Sequence, residues 1–418
     1  MIAFSRLKKL INTLLTGIFL LGFNIGTGSV TAMAMAGATY GMSLLWTIFL
    51  SCLVTYFLIL IYGRFTLLTN ETALQAFRRH LHPAIGVFFI IALGLNVAGS
   101  TMGVMGIVAD VSHEWIKLSF RVELSPVYIA IFFVVFVYLI FLMGTNQFFQ
   151  RSLAVIVAVM AGSFVLSFFI LMPSPWEIIK GMVPNIPRSS LAQGKGAFLV
   201  IASMVGTTVF SGLFILRTTQ IKEAGWTETD LVIQKRDAFC SAALMFVISC
   251  SIMAAAAGTL YNQGVGLTNA VQMIQLLEPI SGRFAMTIFT FGIVAAGVSS
   301  QLPNVLLLPW LICDYFDVER DMKRLRYRVM VAFISSLGLV VPLFNARPVV
   351  VMVASQAFGT LILPMTVISI FILGSRRDVV GDRVYSLLEK TILVFITIFA
   401  LCMSVTGLVS IGNTFFGS

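Results

Sequence analysis

The chain has 418 residues, of which 59% are hydrophobic and only 11% are charged, and its mean hydropathy is +1.00. Soluble globular domains carry about 25% charged residues, so this composition excludes a cytosolic enzyme, a nucleic-acid binder and a disordered chain. It reads as an all-α polytopic membrane protein with room for roughly ten to twelve spans.

Eleven apolar segments follow in chain order, at about 10–36, 42–63, 84–109, 126–145, 152–172, 197–216, 238–259, 284–312, 327–345, 348–374 and 389–412. Residues 1–418 are read as one transmembrane domain. A first repeat covers about 10–172 and a second about 197–374, with an extra helix at 389–412. With the N-terminus in the cytoplasm, 20 of the 27 Lys and Arg residues fall in inside loops. That bias supports the span count, the orientation and an inner or plasma membrane location. It also accounts for the net charge of +10 without nucleic acid. Lipid headgroups are the alternative partner of these basic loops.

Arg6, Lys8 and Lys9 before the first apolar run, with Ala34-Met35-Ala36 after it, also fit a cleaved signal. Asn24 and the glycines Gly22, Gly26 and Gly28 suit a broken transmembrane helix better. The five cysteines (Cys52, Cys240, Cys250, Cys313, Cys402) form no metal or disulfide pattern. The three histidines, His80, His82 and His113, are all expected in loops. No cofactor motif appears.

Two segments carry the marks of helix breaks. The first holds Gly22 to Ser29, including Asn24, Gly26, Thr27, Gly28 and Ser29. The sixth holds Gly206-Thr207-Thr208-Val209-Phe210-Ser211-Gly212. Glycine unwinds a helix readily, and Thr and Ser pair the freed backbone groups. The two lie five segments apart, as expected of a five-plus-five inverted repeat with its substrate at the breaks. Small-residue helix packing is the alternative. Further polar groups inside spans are Asn96 in the third, Ser299, Ser300, Gln301, Pro303 and Asn304 in the eighth, and Ser355 and Gln356 in the tenth. Interhelical hydrogen bonding is their other reading. No Asp, Glu, Lys, Arg or His falls in the interior of a drawn span, away from its first two residues; Asp110, Arg217, Asp237 and Asp314 mark span ends. Neutral hydroxyls, amides and carbonyls suit a neutral polar solute, or a cation that keeps much of its water.

Several stretches resemble the NRAMP family of divalent-metal transporters. The most specific joins Phe149-Gln150-Arg151, Pro173-Ser174-Pro175-Trp176 and Gly181-Met182-Val183-Pro184-Asn185-Ile186-Pro187. Gly37-Ala38-Thr39-Tyr40-Gly41, Ala295-Ala296-Gly297-Val298-Ser299-Ser300, Ser355-Gln356 and Ser375-Arg376-Arg377-Asp378 are similar to further family segments in the same order. The resemblance implies the LeuT-type fold with eleven helices, helices 1 and 6 broken, and alternating access. Its functional motifs depart from the family. Where the family's helix 1 has Asp-Pro-Gly-Asn, with Asp and Asn on the metal, this chain has Gly26-Thr27-Gly28-Ser29. Where helix 6 has Met-Pro-His, this chain has Phe210-Ser211-Gly212. The stretch from Asn96 to Ser100 lacks the family's helix 3 acids. No metal ligand is therefore carried over.

Three readings follow. The favoured one is a secondary transporter of a small neutral, sugar-like solute. Asn24, Thr27, Ser29, Thr208, Ser211, Gln301 and Asn304 would hydrogen-bond that solute and Phe210 would wall it. Gly26, Gly28, Thr207, Asn96 and Gln356 complete the expected site. The alternative is a hydrated divalent cation, with manganese or iron least favoured because no soft group remains. The third is a membrane sensor that transports nothing.

Overall fold

Every regular element among the described residues is helical. The structure, a computed structural model, describes residues 26–144, 173–187, 196–267 and 283–415, with isolated positions between 158 and 169 and at 269 and 272. In chain order the longer helices are α1 (Thr27–Tyr40), α2 (Leu45–Thr69), α3 (Pro83–Phe120), α4 (Pro126–Met143) and the short α5 (Pro175–Gly181). There follow α6 (Ala197–Thr208), α7 (Ser211–Glu223), α8 (Leu231–Ala256), α9 (Arg283–Phe316), α10 (Leu325–Ser336), α11 (Pro348–Ser375) and α12 (Leu387–Phe415). Nine stretches among the described residues are long and apolar enough to cross a membrane, with α6 and α7 counted as one. Of the other two expected segments, 10–36 is described only from Gly26 onward, and 152–172 lies outside the described residues apart from isolated positions.

The helix limits have local causes. Proline occupies the first turn of α3, α4 and α11, where its missing N–H costs nothing. Thr72 and Gln75 form a reciprocal capping box ahead of α3. Left-handed Asn70 and Arg121 end α2 and α3. Most of the long helices are predominantly apolar, as lipid immersion requires. Outward residues such as Leu95, Phe132 and Val405 are exposed on α3, α4 and α12. The α6–α7 pair, by contrast, is almost wholly enclosed. Helix α11 packs on α3, α6 and α12, α9 packs on α3, and α8 packs on α1 and α2.

Two sequence expectations need correction. Helix α3 runs well past the expected end at 109, because Val111 and Ser112 remain buried and the helix stops only at Arg121. His113 is thus helical rather than in a loop, with its Nδ1 2.5 Å from the Leu124 carbonyl oxygen, and His80 too is helical, within the π-helical turn Phe77–Leu81. Arg217 and Asp237, read as marking span ends, are buried between two helices. They form an ion pair between α7 and α8 at 2.5 Å, with both side chains 1% exposed. Arg217 Nε also donates to Gln234 Oε1 at 3.1 Å, and its guanidinium lies 5.2 Å from the Trp226 ring. Gln234 Nε2 donates to the Ile59 carbonyl on α2. Buried charge persists there because the two opposite charges lie against each other.

Candidate functional site

The sixth apolar segment breaks at Val209 and Phe210, between α6 and α7, where Phe210 turns extended at φ −75° and ψ 115°. A break strands carbonyls that would have been bonded within a helix. One is met by Thr55 on α2, whose hydroxyl donates to the Thr208 carbonyl at 2.8 Å. On the far side, Thr366 on α11 donates to Ser211 Oγ at 2.7 Å. Opposite the break, α1 starts at Thr27, preceded by Gly26, which supplies no side-chain cap. Ser29 and Thr207 join the two across 2.9 Å. Glycine is required where α6 meets α11, since a Cβ on Gly206 would fall 1.8 Å from the Gln356 carbonyl oxygen.

A cavity of about 40 Å³ lies between α1, α3, the α6–α7 break, α9 and α11. Eight residues expected from sequence line it: Gly26, Gly28, Ser29, Asn96, Thr207, Phe210, Asn304 and Gln356. None of its lining residues is ionisable, and the described residues hold no cluster of three His, Cys, Asp or Glu. Its amides are oriented. Asn96 Nδ2 donates to the Ser355 carbonyl at 2.8 Å, and Ser355 Oγ donates back to the Asn96 carbonyl at 3.1 Å. Asn304 Nδ2 donates to Ser100 Oγ at 3.3 Å. Gln356 Nε2 donates to Met352 Sδ at 3.7 Å. Each amide nitrogen is thereby held by the helices. The three amide oxygens have no hydrogen-bond partner among the described residues. An amide whose nitrogen is anchored offers the cavity an acceptor.

Four expected residues do not line the cavity. Thr208 and Ser211 stand beside it, but their bonds to Thr55 and Thr366 stabilise the break itself. Thr27 is fully buried, with its carbonyl accepting from Thr31 Oγ1. Its side chain lies toward Gly297 on α9. Gln301 is 1% exposed and sits one position round α9 from Ser300, away from the lining. Asn24 lies outside the described residues.

Four lining residues were missed: Ser100, Val104, Ser300 and Met352. Helical spacing is the signal that finds them. Asn96, Ser100 and Val104 repeat every four residues on α3, as do Ser300 and Asn304 on α9 and Met352 and Gln356 on α11. Residues four apart share a helix face. Met352 also corrects the expectation that no soft group remains. At the position similar to the family's helix 1 Asp, the structure leaves no space. A Cβ on Gly26 would fall 2.7 Å from Ser300 Cβ.

The profile of the Nramp family, described as natural resistance-associated macrophage protein-like, matches residues 17–410. A divalent metal cation transporter MntH of Klebsiella pneumoniae is 23% identical over 369 residues, covering 86% of this chain and 84% of that one. The MntH of Clostridium acetobutylicum is 20% identical over 239 residues, and that match spans about half of each protein, 54% and 53%. Among solved structures, a mutant manganese transporter of Eremococcus coleocola superposes with a TM-score of 0.72 at 16% identity, covering 96% of this chain and 87% of that one. MhsT in complex with L-phenylalanine gives 0.63 at 13% identity, covering 94% and 98%. These likenesses show the fold, which is of the LeuT type.

Proposed function

Because this chain belongs to the Nramp family and is a membrane transporter of that fold, we propose that it moves a divalent metal cation by alternating access, with the cation seated in the cavity at the α6–α7 break. The observation that carries this reading is the direction of the amides. Asn96, Asn304 and Gln356 each use their nitrogen on the protein and keep an oxygen for the ligand. A cation is bound by acceptors alone, and the three side chains that keep an oxygen all line one cavity. Volume argues the same way. About 40 Å³ exceeds the roughly 10–15 Å³ that one water needs, and lies far below the roughly 300 Å³ and more of organic-ligand pockets. The named relatives are divalent metal cation transporters, which adds support. With no carboxylate at hand, the cation keeps part of its water shell. The bias of Lys and Arg toward alternate loops supports a cytoplasmic N-terminus.

The test is uptake of manganese into proteoliposomes. Saturable uptake is expected, and Gln356→Leu, which keeps the volume and removes the acceptor, raises the half-saturating concentration by about tenfold. Saturable uptake of a polyol with none of any divalent cation would contradict this reading in favour of the neutral solute. Uptake of neither would favour the sensor.

A further inference from the structure

We propose that a second cavity, between the end of α2 and the α7–α8 connection, binds the headgroup of an anionic phospholipid. Its volume is about 650 Å³, and its polar lining comes from Asn70, Lys222, Trp226, Thr227, Glu228 and Thr229. That size falls within the roughly 300–1,000 Å³ of organic-ligand pockets, unlike the small cavity at the helix break. Such binding is independent of which solute the chain carries.

The lining surrounds one uncompensated cation with hydrogen-bond donors. Lys222 Nζ donates to Gln75 Oε1 at 2.8 Å, and no carboxylate oxygen among the described residues lies within ion-pair distance of it. An ammonium carries three donors, so two remain for a ligand. The one carboxylate of the lining, Glu228, is paired with Arg383 at 3.0 Å. Asn70, Trp226 and the Thr227–Thr229 hydroxyl pair add amide, indole and hydroxyl donors. A phosphodiester presents one negative charge and a set of acceptor oxygens, which this lining complements.

Placement selects a lipid over a soluble anion. The Trp226 ring lies 5.2 Å from the buried Arg217 guanidinium, so it stands between the cavity and the α7–α8 ion pair. Tryptophan is enriched at the headgroup level of membranes. Glu228 and Thr229 lie one turn before Val232, and Val232, Arg236 and Phe239 follow at spacings of four and three residues, on one face of α8. Val232 and Phe239 are 57% and 63% exposed, and Arg236 is exposed between them. Acyl chains packed on Phe239 bring a headgroup to Arg236 and to the mouth of the cavity. Basic pockets between helices at the membrane surface suit anionic headgroups.

Thermal unfolding of the full chain in detergent tests the site, because a ligand that binds only the folded protein raises the midpoint. The probes are dihexanoyl phosphatidylglycerol, dihexanoyl phosphatidylcholine, whose headgroup has no net charge, and inorganic phosphate. Phosphatidylglycerol is expected to raise the midpoint saturably, and the other two are not. Lys222→Gln and Arg236→Gln are each expected to raise the half-saturating phosphatidylglycerol concentration by about tenfold. Arg236 is an exposed surface residue, so its variant keeps the test usable if Lys222→Gln does not fold. An equal rise with inorganic phosphate overturns the lipid assignment in favour of a free anion. An equal rise with phosphatidylcholine, no rise with phosphatidylglycerol, or a titration that Arg236→Gln leaves unchanged also overturns it.

Discussion

Asp237→Ala is expected to destabilise the purified protein by about 3–5 kcal/mol, the range for removing one partner of a buried ion pair. Arg217 would keep its charge at 1% exposure with only Gln234 and the Trp226 ring beside it. The effect reaches the site through α7, whose first residue follows Phe210 and whose buried face carries Arg217. Thermal unfolding in detergent measures the loss. Replacing both partners together, Arg217→Met with Asp237→Leu, removes the uncompensated charge and should return most of the stability, since apolar substitutes for buried ion pairs are often neutral or better. If Asp237→Ala unfolds no more easily than Asp321→Ala, a change at the exposed Arg324–Asp321 pair, the buried pair does not hold α7 to α8.

Gly26→Asp has the second large effect, and its sign is counter to what the family resemblance suggests. Restoring the family's residue should lower cation uptake, because the new Cβ would fall 2.7 Å from Ser300 Cβ. Separating α1 from α9 to relieve that clash displaces Asn304, one turn from Ser300. Overpacking of this kind costs about 1–3 kcal/mol. Ser300→Gly removes the clashing atom. The double variant Gly26→Asp with Ser300→Gly should fold and bind divalent cations more tightly than the unmodified chain. Opposite unit charges about 4 Å apart attract by about 4 kcal/mol at an effective dielectric of 20, so a gain of tenfold or more remains after desolvation. Calorimetric titration of the four proteins with manganese measures the coupling. A single Gly26→Asp variant that binds manganese more tightly on its own would show that α1 and α9 do not approach this closely.

The site was legible in the sequence where backbone chemistry left a mark. Glycine, threonine and serine clustered inside apolar runs located the α6–α7 break, because unwinding a buried helix needs small residues and local hydroxyls. The same logic also picked out Thr208 and Ser211, which stand beside the cavity rather than lining it. A hydroxyl that repairs a break and one that holds a ligand look alike in sequence, and only the partners on α2 and α11 tell them apart. Met352 was invisible for the opposite reason, since a methionine in an apolar helix reads as packing. Arg217 and Asp237 looked like span ends because hydropathy is local, whereas their neutralisation comes from two helices meeting in space. The amide directions depend on Ser355 and Ser100, far along the chain from Asn96 and Asn304, and on Met352, four residues from Gln356 on one helix face.

The account stands most directly on what occupies the cavity between α1, α3, α9 and α11. A structure determined with manganese, read by its anomalous signal, tests it. The predicted result is a single peak within about 2.0–2.6 Å of amide oxygens of Asn96, Asn304 or Gln356, or of waters they hold. Extended multi-atom density packed on Phe210, with no anomalous peak at saturating manganese, would contradict it.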